Sequence, residues 1–256
     1  MTRHTGVAHM KKIVILGATS GIALQVARQL AQRACEMLLV ARSPERLGQV
    51  QSDLQMRGAT RVVPYAAELA DISCHADLLA FASSALPDFD TVLLAYGSMR
   101  AQALASTSVA VLTEELQVDF VSAAAILTLF AAELERRRSG CIAAITSVAG
   151  DRGRSSNYIY GSAKGALALF LQGLRGRLYP AGVRVVTIKP GPVRTPMTDP
   201  LPNSTRFADP RRVAHDIVRT LAGRSPDILY TPPIWRYIML LVRLVPEAIF
   251  KRLPSF

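Results

Sequence analysis

Apolar residues along this chain gather in two patterns. Short unbroken runs (KKIVILG, EMLLVARS, RVVPYAAEL, DTVLLAYG, CIAAITS, VRVVTIK and PDILYT) read as strands of a parallel sheet, several of them buried on both faces. Between them, PERLGQVQSDLQMRG, DPRRVAHDIVRTLAG and the long TEELQVDFVSAAAILTLFAAELERRR place apolar residues three and four apart, the spacing of helices with one buried face. The first run passes through a glycine turn into the helix ALQVARQLAQR, and the fifth passes through SVAGDRGRSSN into YIYGSAKGALALFLQGLRGRL. Strands alternating with helices predict an α/β domain whose sheet is covered on both sides.

After the last strand comes PPIWRYIMLLVRLVPEAIFKRLPSF. At helical spacing Trp235, Ile238, Met239 and Val242 share one face and Arg236, Arg243, Glu247 and Lys251 another, with Pro246 breaking the element in two. That division suits a helix lying flat in a membrane interface, its aromatic residue at the boundary and its cations on anionic lipid. A helix packed on a partner subunit would show the same division. TPMTDPLPNSTRFADP, earlier in the chain, is rich in Pro, Ser and Asp and predicts a mobile loop covering a substrate.

A chain of 256 residues supplies the core of one such domain. None of its apolar runs reaches the roughly 20 uncharged residues of a spanning helix, and MTRHTGVAHMKK lacks the apolar stretch of a signal peptide, so a cytoplasmic protein is expected. Cys35, Cys74 and Cys141 are scattered, as are His4, His9, His75 and His215, which predicts reduced core thiols and no metal. The formal charge of +11 calls for an acidic partner: anionic lipid, an acidic protein or a phosphorylated substrate. Nucleic acid is disfavoured because the cations are not gathered with aromatic residues. Their densest run, Arg136 to Arg138, falls where the long helix should end and complements its dipole.

Candidate chemistry lies at the strand ends. Gly17 and Gly21 let the backbone turn tightly towards a pyrophosphate, which then meets the free N–H groups of the following helix, with Thr19, Ser20 and Ile22 completing the turn. Arg42 follows the second strand, where an arginine accommodates the 2′-phosphate of NADP and an acid would grip the ribose of NAD. A solvated arginine opening the next helix is the alternative. Tyr160 and Lys164, four apart on a helix, share a face, so the ammonium is expected to lower the phenol's pKa towards working pH. Ser147 stands thirteen residues upstream, at the end of CIAAITS, where open α/β sheets put their chemistry.

These motifs, in this order, resemble the short-chain dehydrogenase/reductase family from about Lys12 to Tyr230: GxxxGxA with Ala23 in place of the last glycine, a serine, YxxxK, and PGxVxT at Pro190, Gly191, Val193 and Thr195. The resemblance implies a Rossmann-type doubly wound parallel sheet of seven strands in order 3-2-1-4-5-6-7, with helices on both faces. It implies a domain over 12–230, preceded by a flexible extension over 1–11 and followed by the amphipathic tail over 231–256. Ser147 would orient a carbonyl, Tyr160 protonate it, and Lys164 tune the tyrosine and bind ribose. Glu68 and Leu69 would lie beside the adenine, and the PGxVxT turn would hold the nicotinamide. The family's NNAG is replaced by Leu94, Ala95, Tyr96 and Gly97, which makes the position beside the nicotinamide ribose more apolar. A family asparagine next to the lysine, acting through its backbone carbonyl, corresponds to Asp119, whose carboxylate is also able to pair with Lys164. The long helix is expected to pack on the sheet and on a second subunit, in a homodimer or homotetramer.

The stretch from about Ser147 to Phe256 is similar to a narrower group, the decaprenylphosphoryl-2-keto-erythro-pentose reductases, which reduce a ketosugar carried on a polyprenyl phosphate. The function implied is NADPH-dependent reduction of a lipid-linked carbonyl, with NAD as the alternative cofactor. A different carbonyl such as a 3-oxoacyl group, and a membrane-associated cofactor-binding protein without turnover, are the competing readings.

Overall fold

The computed structural model describes residues 11–199, 201, 207–223 and 226–253. Of the extension expected over 1–11 only Lys11 is described, and much of the expected covering loop also lies outside the described residues. The elements follow the predicted alternation: β1 (Lys12–Leu16), α1 (Gly21–Ala31), β2 (Glu36–Ala41), α2 (Pro44–Met56), β3 (Arg61–Ala66), α3 (His75–Ala85) and β4 (Thr91–Leu94). After the short α4 (Gln102–Ala105) come α5 (Val109–Leu116), α6 (Ser122–Arg137), β5 (Cys141–Ile145), α7 (Tyr158–Leu178), β6 (Arg184–Pro190), α8 (Pro210–Ala222) and β7 (Ile228–Thr231). The tail forms α9 (Ile234–Leu244) and α10 (Glu247–Phe250), separated at Pro246 as its fixed φ and missing N–H require.

Among the described residues seven strands pair in the order β3-β2-β1-β4-β5-β6-β7, every pair parallel, which is the expected topology. Alternate side chains of each strand enter two cores. Ile13, Ile15, Met37 and Leu39 pack beneath α1, α2 and α8, while Val14, Leu16, Val92 and Leu94 pack with Phe130 of α6 and Leu167 of α7. The order reverses beside β1, so β1 and β4 open a crevice at their carboxyl ends, where such sheets bind ligands. The apolar pattern predicts no element for α3, because its alanines and serines spread over both faces and leave only Leu78 and Ala82 as a short buried stripe.

The long helix departs from its prediction. Its α5 and α6 portions are joined by a π-helical segment, Gln117–Val121, in which the Ser122 amide bonds to the Gln117 carbonyl five residues back. Such segments rotate one residue out of helical register, and here Asp119 is carried to the crevice side. Residues Val109–Arg137 are long and apolar enough to cross a membrane, yet Ala123, Ile126, Leu127, Phe130, Ala131 and Leu134 lie in the core of this domain. The helix ends with Arg138 in a left-handed C-cap, while Arg136 pairs with Glu133 and Arg137 lies over the Phe89 ring.

The tail also differs. Trp235, Ile238, Met239 and Val242, expected on lipid or on a partner subunit, turn inward onto their own domain, with Met239 1% exposed. A second apolar row, Ile234, Tyr237, Leu241 and Leu244, faces outward with Leu240 beside it. Cys74 is partly exposed, unlike the buried Cys35 and Cys141, and burial raises the pKa of all three thiols.

Candidate active site

The glycine turn is a cradle formed at the end of β1. Gly17 has φ +88°, and a side chain there would meet the Tyr96 backbone at 2.6 Å, so only glycine fits. Ser20 then caps α1, its hydroxyl accepting from the Ala23 amide, and the first-turn N–H groups of Gly21 and Ile22 open the helix towards the crevice. Thr195 stands over the turn, 2.9 Å from where a Gly21 side chain would begin, which brings the PGxVxT loop to the phosphate cradle. Thr195 is held by Thr198, whose hydroxyl accepts from the Thr195 amide at 3.0 Å. Thr19 is partly exposed beside Ser20, whereas Pro190 and Gly191 are buried.

Arg42 and Glu68 meet at the mouth of the crevice, 3.6 Å apart, on exposed side chains. An exposed pair at that distance contributes little stability, which leaves Arg42 able to turn to an anion. Three of the expected cofactor residues turn their side chains away from the crevice. Leu69 and Val193 are buried in the two cores, and only their backbones remain for a ligand. Tyr96 points its phenol into the helix layer, 3.0 Å from the Ser122 hydroxyl, which leaves its backbone for a ligand. Ala95 is buried, and its amide donates to the Leu16 carbonyl.

Ser147, Tyr160 and Lys164 do come together. The Ser147 hydroxyl accepts from the Ala149 amide at 3.1 Å and lies near enough to the Tyr160 phenol to lower its pKa. The Lys164 Nζ lies 5.8 Å from the centre of the Tyr160 ring. Glycines make this approach possible. A side chain at Gly150 would meet the Gly165 amide at 2.6 Å, and one at Gly161 the Ala149 carbonyl at 2.8 Å, so the serine turn lies directly on the α7 backbone. Gly150, Gly161 and Gly165 went unremarked in the sequence reading, although glycines one turn apart on a helix signal close backbone approach.

Asp119 enters with its carboxylate. Its Oδ1 is 2.9 Å from Lys164 Nζ, the side chains 0% and 5% exposed respectively, and the same oxygen accepts from the Ser98 amide at 3.1 Å. Gly97 makes room, since a side chain there would lie 2.3 Å from that oxygen. Burial disfavours the Lys164 ammonium, but the Asp119 carboxylate, by its charge and hydrogen bond, outweighs it and holds its pKa above the ordinary value. Tyr160 differs from expectation. Burial raises its pKa, and Lys164 lowers it only in part because Asp119 opposes the lysine. The phenol therefore stays protonated at neutral pH, the form needed to donate a proton.

The short chain dehydrogenase family model matches residues 11–205. The chain belongs to that family. An uncharacterized oxidoreductase of Mycobacterium tuberculosis (strain ATCC 25618 / H37Rv) is 32% identical over 242 residues, 94% of this chain and 96% of its own. The ketoacyl reductase HetN of Nostoc sp. (strain PCC 7120) is 24% identical over 235 residues, 90% of this chain and 80% of its own. Among solved structures, a short chain dehydrogenase from Burkholderia cenocepacia J2315 in complex with NADP superposes with a TM-score of 0.81 at 21% identity, covering 96% of this chain and 98% of that one. As a short chain dehydrogenase, the protein is an oxidoreductase of alcohol and ketone groups.

Proposed function

We propose that this short chain dehydrogenase reduces a carbonyl with NADPH, and that its substrate is a ketosugar linked to polyprenyl phosphate. The observation that carries the reductase reading is the buried cluster at the carboxyl ends of the central strands, where Lys164 pairs with Asp119 beside the Tyr160 ring and Ser147 lies near the phenol. The cradle at Gly17, Ser20 and Gly21 suits the pyrophosphate, Arg42 the 2′-phosphate, and the turn of Pro190, Gly191 and Thr195 the nicotinamide carboxamide. Bound NADPH supplies the hydride. Ser147 orients the carbonyl, Tyr160 donates the proton to the developing alkoxide, and Lys164 holds its charge beside it. This cradle and the structural similarity to the NADP complex support the cofactor.

The lipid-linked substrate rests on the likeness of Ser147 to Phe256, on the charge of +11, and on the outward row of the tail. Ile234, Tyr237, Leu241 and Leu244 form an apolar strip bordered by Arg236 and Arg243, which suits contact with an anionic bilayer where such a substrate resides. Reduction of a 3-oxoacyl group is the second reading, favoured by the similarity to the ketoacyl reductase. A panel of soluble ketones, 3-oxoacyl thioesters and polyprenyl-linked ketosugars, followed by NADPH oxidation, separates the readings. Preference for the thioester would reject the ketosugar.

Two predictions arise here. Arg42→Ala is expected to weaken NADPH by about 10-fold or more and leave NADH unchanged, because one charge-assisted hydrogen bond contributes about 1.5–3 kcal/mol. Equal losses for both nucleotides in a titration would make Arg42 a surface charge. Leu241→Asp combined with Leu244→Asp, both exposed, is expected to keep the fold and lower co-sedimentation with anionic vesicles. Undiminished sedimentation would remove the outward row from membrane contact.

A further inference from the structure

The loop that carries Ser147 is also fastened to the tail, by two adjacent side chains. Asp151 accepts a hydrogen bond from the Tyr230 hydroxyl at 2.7 Å and pairs with Lys189, tying the loop to β7 and β6. Arg152 reaches the tail itself. Its Nη1 donates to the carbonyls of Val242 at 2.6 Å and Val245 at 2.5 Å, its Nη2 to Glu247 Oε2 at 2.9 Å, and its guanidinium lies 3.8 Å from the centre of the Phe250 ring.

Val242 lies in the last turn of α9 and Val245 is its C-cap residue, where carbonyls have no partner within the helix and carry the negative end of its dipole. A guanidinium from the serine loop is therefore the cap of the tail helix. Its side chain is 14% exposed, so the charge is removed from most of the water that would compete for these bonds. At its other end α9 is anchored on the nicotinamide-side turn: Trp235 fills the space over Gly191, leaving no room for a side chain there, and the Gly191 amide donates to the Thr231 carbonyl at 3.0 Å.

We infer that Arg152 is a positioning residue, which seats α9 and α10 as a wall of the substrate opening and holds the Ser147 loop at the distance the carbonyl requires. The inference rests on the proposed role of Ser147 and goes beyond it. It makes the tail part of the reductive site, so that whatever the outward row of α9 touches acts on substrate binding through Arg152.

The test uses the full chain with Arg152→Ala, Arg152→Lys and, on the exposed tail side, Glu247→Gln combined with Phe250→Leu. Hydrogen exchange of backbone amides and steady-state kinetics on the best carbonyl of the panel are read together. In Arg152→Ala, exchange is expected to rise both in Val148–Arg152 and in Leu240–Phe250. KM for the carbonyl should rise about tenfold, a misplacement effect, while NADPH affinity stays the same. Arg152→Lys should not rescue it, since one ammonium cannot bridge the carbonyls, Glu247 and the Phe250 ring at once. The tail-side variant should raise KM in the same direction by less. Exchange that rises in the tail alone with KM unchanged, or in neither segment, overturns the inference. If the wild-type chain reduces no carbonyl, the reductase reading fails on its own, and the exchange in Val148–Arg152 still decides whether Arg152 couples the two.

Discussion

Tyr160→Phe is expected to lower carbonyl turnover by about 10²–10⁴-fold, the typical contribution of general acid catalysis, with NADPH binding retained. The substitution deletes one hydroxyl, the group that lies near Ser147 and Lys164, and leaves the ring in place. Stopped-flow turnover on the preferred carbonyl, with nucleotide binding measured separately, checks it. A mutant as fast as wild type would take the proton-donating role from Tyr160.

Asp119 carries the second large effect. Asp119→Ala is expected to cost about 3–5 kcal/mol, because it leaves the Lys164 ammonium buried without its counter-charge. For a domain of this size that loss lowers Tm by roughly 10 °C. Asp119→Asn keeps an oxygen for the Ser98 amide and for Lys164 but not the charge, and should lose less stability than Asp119→Ala. Its signature is in pH. Asp119 raises the pKa of both Tyr160 and Lys164. Reduction needs the neutral phenol, so in the wild type the rate should hold through neutral pH and fall only as pH rises beyond tyrosine's ordinary value of 10.0. Without the carboxylate that fall should move to lower pH. The stability side has the same sign: the ion pair contributes fully below lysine's ordinary value of 10.5 and is lost as pH rises through the higher folded value. A pH–rate profile identical in Asp119→Asn and wild type would show that the carboxylate does not act on the proton donor.

The fold was legible because its signals are local and mutually consistent. Buried strands are short apolar runs, α1 begins at a serine cap after a glycine turn, and the parallel alternation leaves few topologies. The meeting of Ser147, Tyr160 and Lys164 was legible for the same reason, since a strand end and a helix register fix where they point. What escaped depends on contacts between distant segments. Periodicity could not reveal the π-helical segment at Gln117–Val121, which swings Asp119 to Lys164 through packing against α7. Nor could a Tyr-x-x-x-Lys spacing give the sign of the Tyr160 shift, which burial and Asp119 decide against the lysine. Along the tail, periodicity gives the Trp235 face but not what covers it, and the domain itself does. Nothing local marks Arg152, because its partners lie some ninety residues downstream.

The most direct test of the reductase account follows the hydride itself. NADPH deuterated at the transferable position of the nicotinamide is incubated with the full chain and the carbonyl panel, and the products are analysed by mass spectrometry. The account predicts an alcohol carrying one deuterium on the former carbonyl carbon, formed from the polyprenyl-linked ketosugar and nearly absent with Tyr160→Phe. Consumption of no carbonyl, or an alcohol without the label, would contradict it.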